Sequence, residues 1–453
     1  CRKRLLEIFS MMRSDGWFPR QYSVAGVGGT HDLREYVDSG WWVWELFYEY
    51  LCQTRDFSVL NEAVGYLDSD AKSTVIEHAC QLLGYALHKD NLGEHGLLKI
   101  REGDWNDSVN RAGVLGRGES VMASAQVVLA LTQAVETFSY LLKTKVITHS
   151  LKRSLEPLIK KYKTAMTRMI RALLIHARNQ QGYFNGVFND AGKWCFSPCD
   201  PDGRSRINGP VNSFAVIAGI VGGAEREQVF EALNSLKTDV GWLLFSPAIG
   251  NPPIEHLGRI GSGDLAEGLG ENGTPYNHGS HGFLGRACWT AGKGNMLRDV
   301  LCSMLPYDQR AHPVGRSLTA PYAVVNHWRT APGMTGEGGD TFLSGSISTA
   351  LRNIWHGLVG FRPDVEGLVL DPCIPTDWKE VHATVSHLGK TFRMAIHNPN
   401  GVSCGVHTVR VGKDLYKPNR VFKQGGRKVI CIPAEDLEAL SDKSIDVIVT
   451  LGA

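Results

Sequence analysis

The sequence has no long hydrophobic run. Its longest nearly apolar stretch, Val211–Ala224, falls short of the ~20 residues that a membrane-spanning helix needs, so no membrane partner is expected. Charge of one sign is also missing. The 48 Lys and Arg stand against 46 Asp and Glu, a formal +2, which encodes no strong pull toward nucleic acid. There is no Walker loop, no GxGxxG after a strand and no GxSxG elbow, so nucleotide and serine-hydrolase readings lack support. The ten cysteines are scattered through apolar helix and strand patterns rather than spaced through loops. That favours free thiols and a reducing, cytoplasmic setting. Cys195 and Cys199 have no second Cys or His pair at ligand spacing, so no metal and no other bound cofactor is expected. The chain opens on Cys1 and runs straight into a helical pattern without a signal-peptide core. We expect an internal start, with the true N-terminus upstream.

What the sequence does have is apolar material, 43% of 453 residues, which suffices for one large domain and a smaller one. Up to about residue 360 the pattern is amphipathic helix, loop, amphipathic helix. Segments 41–53, 71–89, 120–143, 151–178 and 344–358 carry apolar residues at helical spacing, with Asp70 and Ser150 as candidate N-caps. Long loops at 14–40, 98–118, 188–212, 239–282 and 305–345 separate them, and loops of that length usually carry function. Beyond Phe361-Arg362-Pro363 the segments become short, alternating and β-branched. The expected fold is mainly α: a helical domain over 1–362, suggestive of an (α/α)6 toroid, then a small antiparallel β domain over 363–453. Pattern alone leaves other helical arrays open.

Four loops concentrate polar chemistry. Gly103-Asp104-Trp105-Asn106-Asp107 places two carboxylates around an indole, the ingredients of a sugar site, since an indole packs on a pyranose face and a carboxyl can protonate a glycosidic oxygen. The plainer reading makes Asp104 and Asp107 turn formers and Trp105 core. Residues 270–282 include Glu271, Asn277, His278 and His281 among glycines, which suits an anion or substrate site but also two satisfied structural histidines. Gly338–Ser346 leads into a helix whose free N–H groups could cradle phosphate, or could be closed by an ordinary N-cap serine. Finally, Arg34 and Asp38 lie ahead of Trp41-Trp42, where they could clamp sugar hydroxyls or form a solvated loop.

Taken in order, GDWND, GRGES, Asn277-His278, Pro321-Tyr322, Leu343–Ser346 and GLVLDPCIP resemble glycoside hydrolase family 94, the inverting phosphorylases of cellobiose, chitobiose and related β-glucosides. The resemblance runs from Asp15-Gly16 to Pro375. It implies an (α/α)6 barrel with a C-terminal β domain, preceded in the family by an N-terminal β-sandwich that this sequence lacks. It also implies a homodimer that acts on an oligosaccharide and inorganic phosphate. By position, Asp107 matches the general acid, and Trp105, Asp38 and, more weakly, Arg34 match residues around the subsite −1 sugar. Asp104 and Glu271 are taken as further substrate-side residues. His278, Ser344 and Gly345 match phosphate-binding positions, and Asn326 corresponds to a glutamine near phosphate. Gly270 stands where the family has a lysine, so the reaction type carries over better than the acceptor.

Phosphate is already an anionic nucleophile, so phosphorolysis needs one acid and no carboxylate base. The acid is expected to lie in apolar surroundings that keep it protonated near neutral pH. An inverting hydrolase would need a base, for which Asp264, Glu271, Glu337 and Asp340 are available. A carbohydrate-binding module without turnover is the non-enzymatic alternative.

Overall fold

The computed structural model describes residues 1–23, 30–305, 312–320, 322–341 and 345–452. Two compact units arise: Cys1–Arg206 with Ile249–Asp264, and Ile207–Ala248 with Leu265–Ala453. They cut the chain elsewhere than the change of texture at residue 362, which separates helices from strands.

The first unit carries the helices Arg2–Phe9, Ser39–Thr54, Val75–Ala86, Val121–Lys143 and His149–Ala172. Side-chain caps decide where several begin. Thr74 and Glu77 form a reciprocal capping box, so the third helix starts at Val75 and Asp70 lies ahead of a short strand, Lys72–Thr74. Thr148, not Ser150, caps the fifth helix by accepting from Leu151 N at 3.2 Å. Ser120 caps the fourth, accepting from Ala123 N at 3.1 Å.

Val121–Lys143 is long and apolar enough to cross a membrane by length and composition, yet 94% of the apolar 18-residue window within it is buried inside the protein. The sequence places a helix at 120–143 but shows no run of spanning length there, because Ser, Thr and Gln interrupt the apolar residues. Some of those polar groups find partners in the core, as where Gln133 accepts from Trp44 Nε1 at 3.0 Å. A small four-stranded sheet, ordered Leu98–Lys99, Glu119–Ser120, Val187–Phe188, Trp194–Cys195, lies at the helix's N-terminal end. It fixes both ends of loop 100–118.

The second unit contains the helices Gly209–Ile217, Gly223–Asn234, Phe283–Ala291, Gly294–Met304 and Gly345–Arg352, and a strand pair, Val325–Trp328 with Gly338–Thr341. Two further sheets follow residue 360. The four-stranded one is ordered Phe361–Asp364, Gly367–Leu370, Arg427–Pro433, Arg420–Phe422. The five-stranded one is ordered Glu380–His387, Lys390–His397, Ser444–Leu451, Val406–Val411, Asp414–Tyr416. Their inward residues, including Leu368, Phe392, Ile396, Val449 and Leu451, form one apolar core.

The expected antiparallel arrangement needs a correction, because Ser444–Leu451 runs parallel to Lys390–His397. A parallel neighbour requires a long crossover, and residues 398–443 provide it. Asp371, fully buried, accepts from Arg362 at 2.6 Å and from Arg427 Nε at 3.1 Å, while Arg427 Nη2 also donates to Trp289 O at 2.9 Å. This charge cluster ties the strands to the Phe283–Ala291 helix.

Candidate functional site

In the first unit, residues 34–38 run beside 101–104. Val37 N donates to Gly103 O at 3.0 Å and Glu102 N to Glu35 O at 3.1 Å. Gly103 has φ +147°, and a Cβ there would lie 2.8 Å from the Tyr36 ring. Only glycine permits this approach. It sets Asp38 and Asp104 within each other's electrostatic reach, both almost wholly buried, at 4% and 5% exposure.

Asp38 accepts from Trp42 Nε1 at 2.7 Å. Asp104 accepts from Ser120 Oγ at 2.7 Å and from Asn106 N at 3.0 Å. Burial raises the Asp104 carboxyl to about 6, against the pull of those two hydrogen bonds. Burial likewise raises Asp38 to about 7, and the neighbouring Asp104 charge adds to that larger effect.

Asp107 opens a short 3-10 turn, Asp107–Val109, whose preceding residue Asn106 accepts from Ser108 N at 3.0 Å. Its side chain is 37% exposed, and Arg20 holds it at two points: Arg20 Nε donates to Oδ1 at 3.2 Å, and Nη2 to Oδ2. Arg20 Nη1 also donates to Asp32 at 3.0 Å, and the guanidinium lies 5.0 Å from the Tyr36 ring centre. Arg34 grips the same Asp32 through Nε at 3.0 Å and Nη2 at 2.7 Å. These bonds, Arg34's above all, hold Asp32 well below the usual carboxylate range.

The apolar setting expected around the acid therefore belongs to its neighbours. Asp38 and Asp104 are the buried carboxyls, whereas Asp107 is partly open and ion-paired. Trp105 stands half-buried between Asp104 and Asp107. Sequence reasoning missed Arg20, since nothing in spacing links it to a residue so far along the chain. Loop 239–282 is expected to carry function, but nothing in its sequence shows that segment 254–264 packs on the Asp107–Val109 turn: a Cβ on Gly258 would meet Ser108 O at 2.3 Å, and Arg259 N donates to Asn110 at 3.2 Å.

In the second unit, His278 begins a π-helical turn, His278–Gly282, that runs into the Phe283–Ala291 helix. A Cβ on Gly345 would lie 3.1 Å from His278 Nδ1, so the ring sits against the first turn of Gly345–Arg352. Tyr276 packs edge-on to His278, with ring centres 5.3 Å apart, and accepts from Asn326 Nδ2 at 2.6 Å. His278, Gly345 and Asn326 are thus brought into one group through Tyr276. Ser344 lies outside the described residues.

His281 turns out to be structural. It is fully buried, accepts from Trp242 N at Nε2 (3.0 Å) and donates to Asn277 Oδ1 from Nδ1 (2.8 Å). Burial pushes it down to about 3, which keeps it neutral. His327 stacks on Tyr276 at 6.0 Å, and burial pushes it below the ordinary imidazole value against the opposing pull of Asp340.

Glu271 is half-buried on the turn ahead of this group. Of the other carboxylates, Asp264 is exposed and accepts from Ser262 Oγ at 2.7 Å, while Glu337 is paired with Arg329 at 3.0 Å. Among the described residues no cluster of three His, Cys, Asp or Glu side chains suits a metal ion.

Residues 8–360 match the family model described as the glycosyl hydrolase 94 superfamily, catalytic domain. The chain is 31% identical to solabiose phosphorylase of Paenibacillus borealis, over 85% of this chain and 48% of the relative. It is 27% identical to 3-O-beta-D-glucopyranosyl-beta-D-glucuronide phosphorylase of the same organism, over 87% and 49%. With N,N'-diacetylchitobiose phosphorylase of Vibrio furnissii it shares 25% identity, over 83% and 44%. The chain thus spans about half the length of the curated relatives it matches.

Proposed function

Because the chain belongs to the glycosyl hydrolase 94 superfamily, we propose that it is the catalytic part of an inverting glycoside phosphorylase. It cleaves a β-linked gluco-oligosaccharide with inorganic phosphate to give α-glucose 1-phosphate and a shortened acceptor. Its helical region is read as an (α/α)6 barrel, acting as a cytoplasmic homodimer. The observation that carries the reading is the contrast among three neighbouring carboxyls. Asp38 and Asp104 keep only 4% and 5% of their surface exposed, whereas Asp107, with its side chain 37% exposed, is the one open enough to reach a bulky leaving group.

In this mechanism Asp107 protonates the glycosidic oxygen as the bond to the anomeric carbon breaks. Asp38, Asp104, Arg34 and Trp105 hold the sugar on the donor side, and Glu271 contributes on the acceptor side. Phosphate attacks the anomeric carbon from the face opposite the leaving group, which inverts its configuration. His278, Asn326, Ser344 and Gly345 bind that phosphate, with the positive end of the Gly345–Arg352 helix adding to the attraction. In the reverse direction Asp107 takes the proton from the acceptor hydroxyl. Phosphate brings its own negative charge, so no second carboxylate is required.

The test is product analysis on β-1,2-, β-1,3- and β-1,4-gluco-oligosaccharides, with and without phosphate. Phosphate-dependent release of α-glucose 1-phosphate is expected. Release of free glucose without phosphate would instead make the protein a hydrolase and require a base.

A further inference from the structure

We propose that Arg20 is the positioning residue of Asp107. In the unliganded site it holds the carboxylate in a two-point ion pair, ready to accept a proton in the synthetic direction. It must release that carboxylate before Asp107 can protonate a leaving oxygen. This rests on Asp107 being the acid, as proposed above.

The geometry supplies both states of such a device. Arg20 has two acceptors on different segments: Asp107 through Nε and Nη2, and Asp32 through Nη1 at 3.0 Å. Asp32 is itself fixed by Arg34, and the Arg20 guanidinium rests against the Tyr36 ring. When Asp107 takes up a proton, Arg20 still has Asp32 and is not left as an unpaired charge. The Arg20–Asp107 pair is partly exposed, at 20% and 37%. Solvent-screened pairs of this kind are weak enough for an incoming saccharide to break.

The charged and titratable groups that interact with this pair are Arg34, Asp32, Asp38, Asp104 and the Tyr36 hydroxyl. Arg20→Gln removes one of the two cations around Asp107 and leaves Arg34.

Protons balance in both directions. During phosphorolysis the Asp107 proton goes to the departing glycosidic oxygen while phosphate bonds to the anomeric carbon, and Arg20 recaptures the resulting carboxylate. During synthesis the carboxylate takes the acceptor hydroxyl proton as phosphate leaves.

The test is the pH dependence of kcat/KM in both directions for the wild type, Arg20→Gln, Arg20→Lys and Asp32→Asn. In Arg20→Gln the alkaline limb of phosphorolysis and the acidic limb of synthesis should both move upward by about one unit, tenfold in protonated fraction along the limb. Arg20→Lys keeps the charge and should leave the limbs near their wild-type positions, with kcat lowered because the fork is lost. Asp32→Asn commits Arg20 to Asp107 and should move both limbs downward. A purely structural role would change kcat or stability without moving both limbs together.

Limbs that stay fixed in Arg20→Gln and Asp32→Asn, or that move in opposite directions, overturn the proposal. Carbon-13 titration of the Asp107 carboxyl, assigned with Asp107→Asn, reads the same shift without turnover. If the wild type makes no sugar phosphate, the phosphorylase reading fails, and the ion-pair proposal is then decided by whether that titration moves in Arg20→Gln. Should Arg20→Gln not fold, the downward shift in Asp32→Asn decides it.

Discussion

The Ser120 hydroxyl joins the buried helix Val121–Lys143 to the candidate site. It accepts from Ala123 N at 3.1 Å as the cap of Val121–Lys143 and donates to the Asp104 carboxylate at 2.7 Å. Ser120→Ala removes both bonds. It should cost about 1–2 kcal/mol in urea unfolding and make Asp104 harder to ionise. Ser120→Thr should restore most of the stability.

Asp38 and Asp104 make the fold sensitive to pH. Their folded values, about 7 and about 6, lie above the ordinary 3.8. The native state therefore binds more protons than the unfolded chain. The stability these two groups contribute is fully present below about pH 4 and is lost as pH rises through 6 to 7. Melting temperature measured across this range should fall less steeply in Asp38→Asn than in the wild type. At pH 8 that variant should be the more stable, by roughly 1–3 kcal/mol.

Two histidines three residues apart should respond oppositely. His281→Ala strands the buried Trp242 N–H and the Asn277 side chain, and should cost roughly 2–4 kcal/mol of stability. His278→Ala should leave the melting temperature within a few degrees and raise the phosphate concentration needed for half-maximal rate, by about tenfold or more. Paired thermal melts and phosphate titrations separate the two.

Gly345 tests the same group from the other side. A methyl there would stand 3.1 Å from His278 Nδ1, close enough to displace the ring by a few tenths of an ångström. Gly345→Ala should raise the KM for phosphate while changing the KM for oligosaccharide little.

Asp107→Asn should reduce turnover by roughly 10²–10⁴-fold while oligosaccharide binding stays measurable by calorimetry. Near-normal activity in this variant would remove the acid assignment and everything built on it.

Most of the helices and the switch to strands were readable because burial imposes period 3.6 on one and period 2 on the other. Exact starts were less readable. Thr74 and Thr148 displace the expected caps Asp70 and Ser150 because capping depends on which side chain reaches an N–H, which composition does not specify. The parallel placement of Ser444–Leu451 leaves no local trace either, since its alternation suits either direction. At the site, GDWND marked the loop of the proposed acid, but proximity in space chose its partner. Arg20 meets Asp107 only because two distant loops share the Tyr36 ladder. Likewise, residue pattern alone left His278 and His281 on equal terms, only the family resemblance singled out His278, and burial makes His281 a structural bridge.

The position of Ser444–Leu451 also bears on biosynthesis. This strand lies inside its sheet, between Lys390–His397 and Val406–Val411. As the chain leaves the ribosome, both neighbours must wait with open edges until residue 444 and beyond have emerged. Exposed edges of this kind invite pairing with other chains, so a nascent protein that stalls short of this strand is a natural client for chaperones. Closure of the sheet then removes both open edges at once.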